Sequence, residues 1–346
     1  LQSSFSPYLA NTQRRKERET VMAIKNILAL VVLLSVVGVS VAIPQLLDLD
    51  YYRSKCPKAE EIVRGVTVQY VSRQKTLAAK LLRMHFHDCF VRGCDGSVLL
   101  KSAKNDAERD AVPNLTLKGY EVVDAAKTAL ERKCPNLISC ADVLALVARD
   151  AVAVIGGPWW PVPLGRRDGR ISKLNDALLN LPSPFADIKT LKKNFANKGL
   201  NAKDLVVLSG GHTIGISSCA LVNSRLYNFT GKGDSDPSMN PSYVRELKRK
   251  CPPTDFRTSL NMDPGSALTF DTHYFKVVAQ KKGLFTSDST LLDDIETKNY
   301  VQTQAILPPV FSSFNKDFSD SMVKLGFVQI LTGKNGEIRK RCAFPN

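Results

Sequence analysis

The chain has 346 residues, and its 48 lysines and arginines against 33 aspartates and glutamates give a net charge of +15. This length allows one large domain or two small ones. The positive charge favours acidic partners, which in an exported protein are anionic polysaccharides or anionic surfaces before nucleic acid, although a solvated basic surface without a partner is an equal alternative.

The N-terminal segment has the pattern of an export signal. Residues 1–21 are polar and lack apolar periodicity, and we expect them to be a leader upstream of the initiator Met22. A basic start, an apolar run over residues 27–37 and a small-residue cleavage site then predict a signal peptide over residues 22–42. The run is shorter than the roughly 18 residues of a membrane-spanning helix. The mature protein is therefore predicted to be one domain over residues 43–346.

The eight cysteines all follow the predicted signal peptide, and an even number in an exported chain predicts four disulfides. About 105 pairings are open, and only Cys89 and Cys94 are close enough in sequence to suggest a local pair. No CxxC pair supports a metal–thiolate site.

Helical patterns dominate the mature chain, and turns rich in glycine and proline separate them. The segment 142–148 is apolar almost all round, as expected of a helix at the centre of a large core. We predict an all-α fold with long loops and little or no β-structure. Besides a helix that leads into residues 81–87, the predicted helices are 60–74, 119–132, 140–154, 187–198, 202–208, 243–250, 271–280, 299–307 and 315–325.

The segment 81–97 concentrates reactive side chains in an otherwise apolar run. Arg83 and His87 are four positions apart on the predicted helix, so they project from one face. A permanent cation and an imidazole that titrates near neutral pH would then face the same cavity. An isolated histidine at such a place is more often a hydrogen-bonded core residue, but the rest of the run favours a site.

A candidate calcium loop follows directly. Two carboxylates and a hydroxyl have backbone carbonyls between them on a short glycine-containing loop closed by Cys89 and Cys94, and such hard oxygen ligands suit calcium. The spacing is not that of an EF-hand, and Asp-Gly-Ser is also common turn chemistry. The candidate ligands are Asp88, Val91, Gly93, Asp95 and Ser97.

A second candidate cluster surrounds His212, which follows a short apolar helix that begins with a capping-box-like pattern at Asn201 and Asp204. His212 could complement the helix dipole or act as an axial ligand to iron. Oxygen donors farther along the chain could join Thr213 in a second calcium shell. These donors are Asp263, Ser266, Thr269 and Asp271.

Together these motifs resemble the secreted plant haem peroxidases of class III, over essentially the whole mature chain. The resemblance implies a mostly α-helical domain in which a distal and a proximal half enclose haem. The motifs are RMHFHDCFVRGCDGS at 83–97, ERDAVPN at 108–114, SCAD at 139–142, PLGRRD at 163–168, LSGGHT at 208–213, TFD at 269–271 and GLFTSD at 283–288.

The resemblance implies one haem b, with His212 as the proximal iron ligand and Asp288 as the acceptor of its other ring hydrogen. His87 would be the distal base, oriented by Asn114, and Arg83 would stabilise charge on the peroxide. Two further residues would support the distal site: Phe86 over the haem and Glu108, linked to Asn114 through water.

The resemblance also implies two calcium ions, one at each cluster described above. Pro182 would line the channel through which phenolic donors reach the haem edge and lose one electron at a time. The implied disulfides are Cys56–Cys134, Cys89–Cys94, Cys140–Cys342 and Cys219–Cys251.

Four further residues receive predictions. Asn228 lies in a sequon and is a candidate glycan site, whereas the sequon at Asn114 conflicts with a buried role. We expect His85 to be structural and His273 to be a surface residue.

The predicted function is that of a secreted, monomeric peroxidase of the extracellular space or cell wall. It would reduce hydrogen peroxide and couple wall phenols of the lignin or suberin type, with a role in oxidative stress. The main alternative is a basic wall-binding protein of the same fold that acts by adhesion. A non-haem metallohydrolase built on His85 and His87 is disfavoured because these side chains diverge on a helix.

Overall fold

The computed structural model describes residues 47–346 and, alone before them, Met22. The predicted leader and signal peptide otherwise lie outside the described residues. No helix in the described part is long and apolar enough to cross a membrane. The helices are α1 Ala59–Arg73, α2 Leu77–Val91, α3 Tyr120–Lys133, α4 Cys140–Val154, α5 Leu174–Asn180, α6 Ile188–Ala196, α7 Ala202–Ser209, α8 Asn223–Tyr227, α9 Pro241–Lys250, α10 His273–Ala279, α11 Thr286–Ser289, α12 Ile295–Ile306 and α13 Phe314–Leu325.

Helix α4 is the centre of the first half of the fold. Ser139 begins it by accepting a hydrogen bond from the Asp142 N–H at 3.1 Å. Most of its side chains are buried, as its apolar composition predicts. Helices α1, α2 and α3 all pack against it. The predicted central helix is therefore confirmed, with the predicted bounds.

The second half is built from α7, α10, α12 and α13. Helix α12 packs against α10 and α7, and α13 packs against α7. The capping box predicted at the start of α7 is present, since Asn201 and Asp204 exchange side-chain to backbone hydrogen bonds of 2.9 and 3.0 Å. The fold is therefore mostly α-helical, as predicted.

Over residues 47–346, the only strands form a small antiparallel pair, Ile216–Ser218 with Ser259–Asn261. Three short helices, α5, α8 and α11, were not predicted, because four to seven residues show too little periodicity. Helix α12 begins four residues earlier than predicted, since Asp294 caps it.

Four disulfides join these elements. They are Cys56–Cys134, Cys89–Cys94, Cys140–Cys342 and Cys219–Cys251, the pairing that the resemblance implies. Cys140 begins the central helix α4, so its disulfide ties the C-terminal segment to the core.

Candidate active site

Helix α2 carries the candidate base. The ring Nδ1 of His87 lies 2.5 Å from Asn114 Oδ1, and the Nδ2 group of Asn114 donates to the Glu108 carbonyl at 2.7 Å. The amide oxygen is an acceptor, so it selects the tautomer with hydrogen on Nδ1 and a lone pair on Nε2. Burial, together with the charge of Arg83, lowers the pKa of His87 to about 3. The imidazole is therefore neutral at ordinary pH.

Arg83 is fixed to the same loop that holds Asn114. Its Nη1 donates to Thr116 Oγ1 at 2.9 Å and its Nη2 donates to the Pro113 carbonyl at 2.6 Å. Three predicted residues, Arg83, His87 and Asn114, are thus brought together by α2 and one loop.

His212 lies in the turn that follows α7. Its Nδ1 is 2.8 Å from Asp288 Oδ1, and Asp288 also accepts from the Phe285 N–H at 2.9 Å. Burial alone would raise the pKa of Asp288, but the His212 charge and these hydrogen bonds lower it. The carboxylate therefore stays ionised and holds the ring through Nδ1, which leaves Nε2 free to bind a metal. An imidazole oriented by a buried carboxylate is the donor arrangement that suits haem iron.

The two histidine-bearing segments pack against each other. A Cβ at Gly211 would lie 3.5 Å from Leu82 Cδ2 on α2, and a Cβ at Gly215 would lie 3.1 Å from the Ala79 methyl group. Because Leu82 precedes Arg83, α2 connects the His87 site directly to the turn of His212.

Three buried carboxylates, Asp88, Asp95 and Glu108, converge at the C-terminal end of α2. Burial and the charges of Asp88 and Asp95 raise the pKa of Glu108 to about 9, and burial raises the pKa of Asp95 to about 6. Among the described residues, Ser97 Oγ and both Glu108 oxygens make no hydrogen bond. A buried hard cation would satisfy these oxygens and remove the repulsion, so the donor set fits calcium.

Two carbonyls complete the predicted first calcium set. The Gly93 carbonyl accepts from the Asp95 N–H at 2.8 Å. The Val91 carbonyl accepts from Lys198 Nζ at 3.1 Å, so it already has one donor. A carbonyl oxygen has two lone pairs, which leaves one for a cation.

The second predicted calcium set also clusters in part. Thr213 Oγ1 donates to Asp263 at 3.0 Å and lies 3.3 Å from Asp271 Oδ1, and Ser266 Oγ donates to Asp271. Burial raises the pKa of Asp263. Thr269 is exposed, and its N–H donates to the Ser266 carbonyl at 2.9 Å.

The surroundings of His273 and Glu108 differ from those expected. His273 was expected at the surface, but it is only partly exposed, and its Nδ1 contacts Asp263 because α10 begins beside this cluster. Glu108 contacts Asn114 through its backbone carbonyl, while its side chain faces the carboxylate cluster.

The other predicted residues occupy varied environments. Phe86 stacks on Phe90 with ring centroids 4.3 Å apart, and Pro182 is partly buried. His85 is 3% exposed, in agreement with a structural role, and Asn228 is exposed.

Sequence reasoning missed several residues that shape the site. A Cβ at Gly169 would lie 2.1 Å from Asp95 Oδ2, so only glycine permits this approach. Arg339 is fully buried and donates to the Gly96 carbonyl at 2.6 Å. Tyr274 donates to Asp288 at 2.9 Å. Each contact joins residues far apart in sequence, and no local pattern indicates it.

Comparison with known proteins shows the family of the chain. The Peroxidase family model matches residues 63–306. Peroxidase 56 of Arabidopsis thaliana is 55% identical over 300 residues, 87% of this chain and 91% of that protein. Peroxidase 1 of Oryza sativa subsp. japonica is 52% identical over 305 residues, 87% of this chain and 93% of that protein. The chain therefore belongs to the plant class III peroxidases, oxidoreductases that act on hydrogen peroxide.

Proposed function

We propose that this peroxidase binds one haem b through His212 and two calcium ions, and that it oxidises phenolic donors in one-electron steps outside the cell. The observation that carries the proposal is the arrangement of two histidines on adjoining segments. One, His87, is neutral and oriented by Asn114, and the other, His212, is oriented by Asp288. This division of roles suits a distal base and a proximal ligand.

His87 and Arg83 are the protein's own contribution to the reaction with peroxide. The unprotonated Nε2 of His87 accepts a proton from one peroxide oxygen and returns it to the departing oxygen. The guanidinium of Arg83, released from Thr116 or Pro113, stabilises negative charge on that oxygen. Haem, when bound, supplies the iron that receives the peroxide and stores its oxidising equivalents. Asp288 increases the electron density that His212 offers to the metal.

Calcium would be held by the two oxygen clusters. The first involves Asp88, Val91, Gly93, Asp95 and Ser97, and the second involves Thr213, Asp263, Ser266, Thr269 and Asp271. The loop with Pro182 would border the donor channel. Its neighbour Pro184 accepts a hydrogen bond from the Ser287 N–H at 3.0 Å, which ties the loop to the segment of Asp288.

The decisive experiment is the reaction of His87→Leu with hydrogen peroxide in rapid mixing. We expect haem to be retained, as a Soret band, and the second-order rate constant to fall about a hundred- to ten-thousandfold. His85→Asn, on the same helix but without contact to Asn114, is the control and should keep the wild-type rate. An unchanged rate in His87→Leu, or a folded wild type that remains colourless after haem supplementation, would contradict the proposal.

Export and glycosylation are tested on protein recovered from the culture medium of a plant expression host. Cleavage of the proposed signal peptide should leave Ile43 as the N-terminal residue. Asn228 is exposed and should carry a glycan, whereas Asn114 is 1% exposed and should carry none. Peptide mass spectrometry measures all three, and a glycan on Asn114 would contradict the proposed distal site.

We also propose an anionic polysaccharide as a partner. Helix α9 carries a group of cationic side chains, and the partly exposed Glu246 is the single acidic residue among them. Lys282 lies close enough to influence the pKa of Glu246, so it extends the group. We call this set the α9 basic surface: Arg245, Lys248, Arg249, Lys250 and Lys282.

A further inference from the structure

Tyr274 shares an acceptor atom with His212. The Tyr274 hydroxyl donates to Asp288 Oδ1 at 2.9 Å, and His212 Nδ1 lies 2.8 Å from the same oxygen. The other oxygen, Oδ2, accepts from the Phe285 N–H at 2.9 Å. Asp288 therefore receives three donors, and two of them compete for one oxygen.

The hydroxyl is a permanent donor. Tyr274 is 1% exposed, and its burial, followed by the charge of Asp288, raises its pKa well above the ordinary tyrosine value. The phenol thus stays protonated, and a buried hydroxyl beside a carboxylate has no better acceptor than that carboxylate. Hydrogen bonds to a charged acceptor are roughly twice as strong as neutral ones. The second donor therefore changes the electron density on Asp288 Oδ1 substantially.

A second donor on Oδ1 draws electron density from that oxygen. The oxygen then attracts the Nδ1 hydrogen of His212 less strongly, and the imidazole gains less anionic character. An imidazole with less anionic character donates less charge to a metal on Nε2, which favours the reduced metal.

We propose that Tyr274 is a positioning residue that limits the electron donation of His212 by sharing Asp288 Oδ1, and so raises the reduction potential of the bound iron. The proposal rests on the proposed function, because it requires His212 as the iron ligand. Tyr274 contacts the His212 ring and donates to Asp288, and its effect on the iron would pass through Asp288.

A purely structural role would depend on the ring of Tyr274. The ring meets His212 edge-on with centroids 5.9 Å apart, and it packs edge-on against Phe275 at 5.3 Å. Tyr274→Phe keeps both contacts and removes only the oxygen. A packing role therefore predicts no spectroscopic change, whereas sharing of Oδ1 predicts one.

The test measures the ferric/ferrous midpoint potential of the haem-bound protein and the iron–histidine stretching band of its ferrous form. In Tyr274→Phe, Asp288 Oδ1 accepts a hydrogen bond from His212 alone. We expect the midpoint potential to become more negative and the band to move to higher frequency. Site-directed 3-fluorotyrosine at position 274, whose hydroxyl is a stronger donor, should shift both quantities in the opposite direction, and it provides the test if Tyr274→Phe does not fold.

Tyr300→Phe is the matched control. Tyr300 donates to the Asp317 carboxylate at 2.9 Å, and its ring packs against Phe275 at 5.6 Å. It has the same chemistry near the same aromatic ring without contact to Asp288, so both quantities should keep their wild-type values. In an Asp288→Asn background, Tyr274→Phe should add no further shift.

The outcomes separate the two proposals. A wild type with no iron–histidine band contradicts the proposed function itself. A wild-type band that Tyr274→Phe leaves in place, with an unchanged midpoint potential, overturns the role of Tyr274 alone. Equal shifts in Tyr274→Phe and Tyr300→Phe also overturn it, since they would report a general effect on the aromatic cluster.

Discussion

His87 owes its protonation state to its neighbours. Burial disfavours the imidazolium form, the charge of Arg83 disfavours it further, and the hydrogen bond with Asn114 opposes them only in part. A histidine in water would be half protonated near its ordinary pKa, but His87 keeps a free lone pair far below it. His212 faces the Asp288 carboxylate instead, and this arrangement suits a metal ligand.

The lowered pKa of His87 predicts an unusual pH profile for the reaction with peroxide. We expect the rate constant to stay nearly unchanged as the pH falls through 6.5, the ordinary histidine value, and to decline only as the pH approaches about 3. Protonation below that pH would remove the proposed base. The rate is measured by pH-jump mixing, and an acid midpoint near 6.5 would contradict the prediction.

The pH jump is necessary because stability changes over the same interval. The folded-state pKa of His87 is depressed, so between 6.5 and about 3 the unfolded chain binds a proton that the folded chain does not. Stability therefore falls as the pH falls through this range. Brief exposure to acid separates the loss of the base from the loss of the fold.

At the scale of elements, α8 holds the segment that presents Asp288. Arg225 of α8 is 1% exposed, and its Nη1 donates to the carbonyls of Gly283 and Leu284, each at 2.8 Å. Its Nη2 donates to Ser289 Oγ at 2.7 Å, and its Nε donates to Asp236 at 2.8 Å. One buried guanidinium thus fixes both ends of the segment on which Asp288 lies.

Removal of this guanidinium should destabilise the protein. Arg225→Met leaves Asp236 buried without its cation, which costs about 3 to 5 kcal/mol in free energy of unfolding. Arg53→Met is the control, because Arg53 pairs with Asp50 on the surface and should contribute about 1 kcal/mol or less. Denaturant unfolding measures both, and equal losses would contradict the assigned role of Arg225.

The carboxylates around the loop after α2 predict that the stability of the fold depends on calcium, and that this dependence changes with pH. Without a cation, Asp95 and Glu108 have raised folded-state pKa values of about 6 and about 9. The folded chain then binds more protons than the unfolded chain, so stability falls as the pH rises through this range. A calcium ion bound at the proposed site would remove the repulsion and this dependence.

We therefore expect chelation to lower the melting temperature more at pH 8 than at pH 5, and to reduce turnover because the loop adjoins His87. Calorimetry with and without chelator measures the first effect, and peroxide turnover measures the second. Glu108→Gln, which removes one buried charge, should reduce the pH dependence of the chelated protein. An equal effect of chelation at both pH values would argue against the site.

At the scale of the whole molecule, the protein carries a net charge of +15, and α9 contributes a group of cations to it. On the α9 basic surface, Lys248 stacks over the Tyr227 ring at 5.0 Å and Lys250 pairs with Glu246 at 2.7 Å. Arg245 and Arg249 are exposed and have no carboxylate partner among the described residues. Exposed cations on one helix can contact a linear polyanion at successive carboxylates.

Arg245→Glu with Arg249→Glu should weaken binding to polygalacturonate at least tenfold at low salt, and the difference should shrink as salt screens the charges. Arg64→Glu with Arg73→Glu on α1 changes the net charge by the same amount and serves as the control. Equal losses in both double variants would indicate attraction by net charge and no dedicated surface. Affinity is measured by co-sedimentation or calorimetry over a salt series.

The sequence by itself determined the helical fold class and the local motifs. Helix α4 follows from a long apolar run, and the start of α7 follows from the pattern at Asn201 and Asp204. Both depend on residues within one or two turns of each other, where periodicity and capping operate. The projection of Arg83 and His87 from one helix has the same local origin.

The tertiary structure decided which distant residues meet. Tyr274 contacts Asp288, Arg225 holds Ser289, and Leu82 packs against Gly211, although each pair is separated along the chain. Such contacts depend on the packing of whole helices, which no local pattern specifies. The depressed pKa of His87 also belongs here, because burial exists only after the chain has folded.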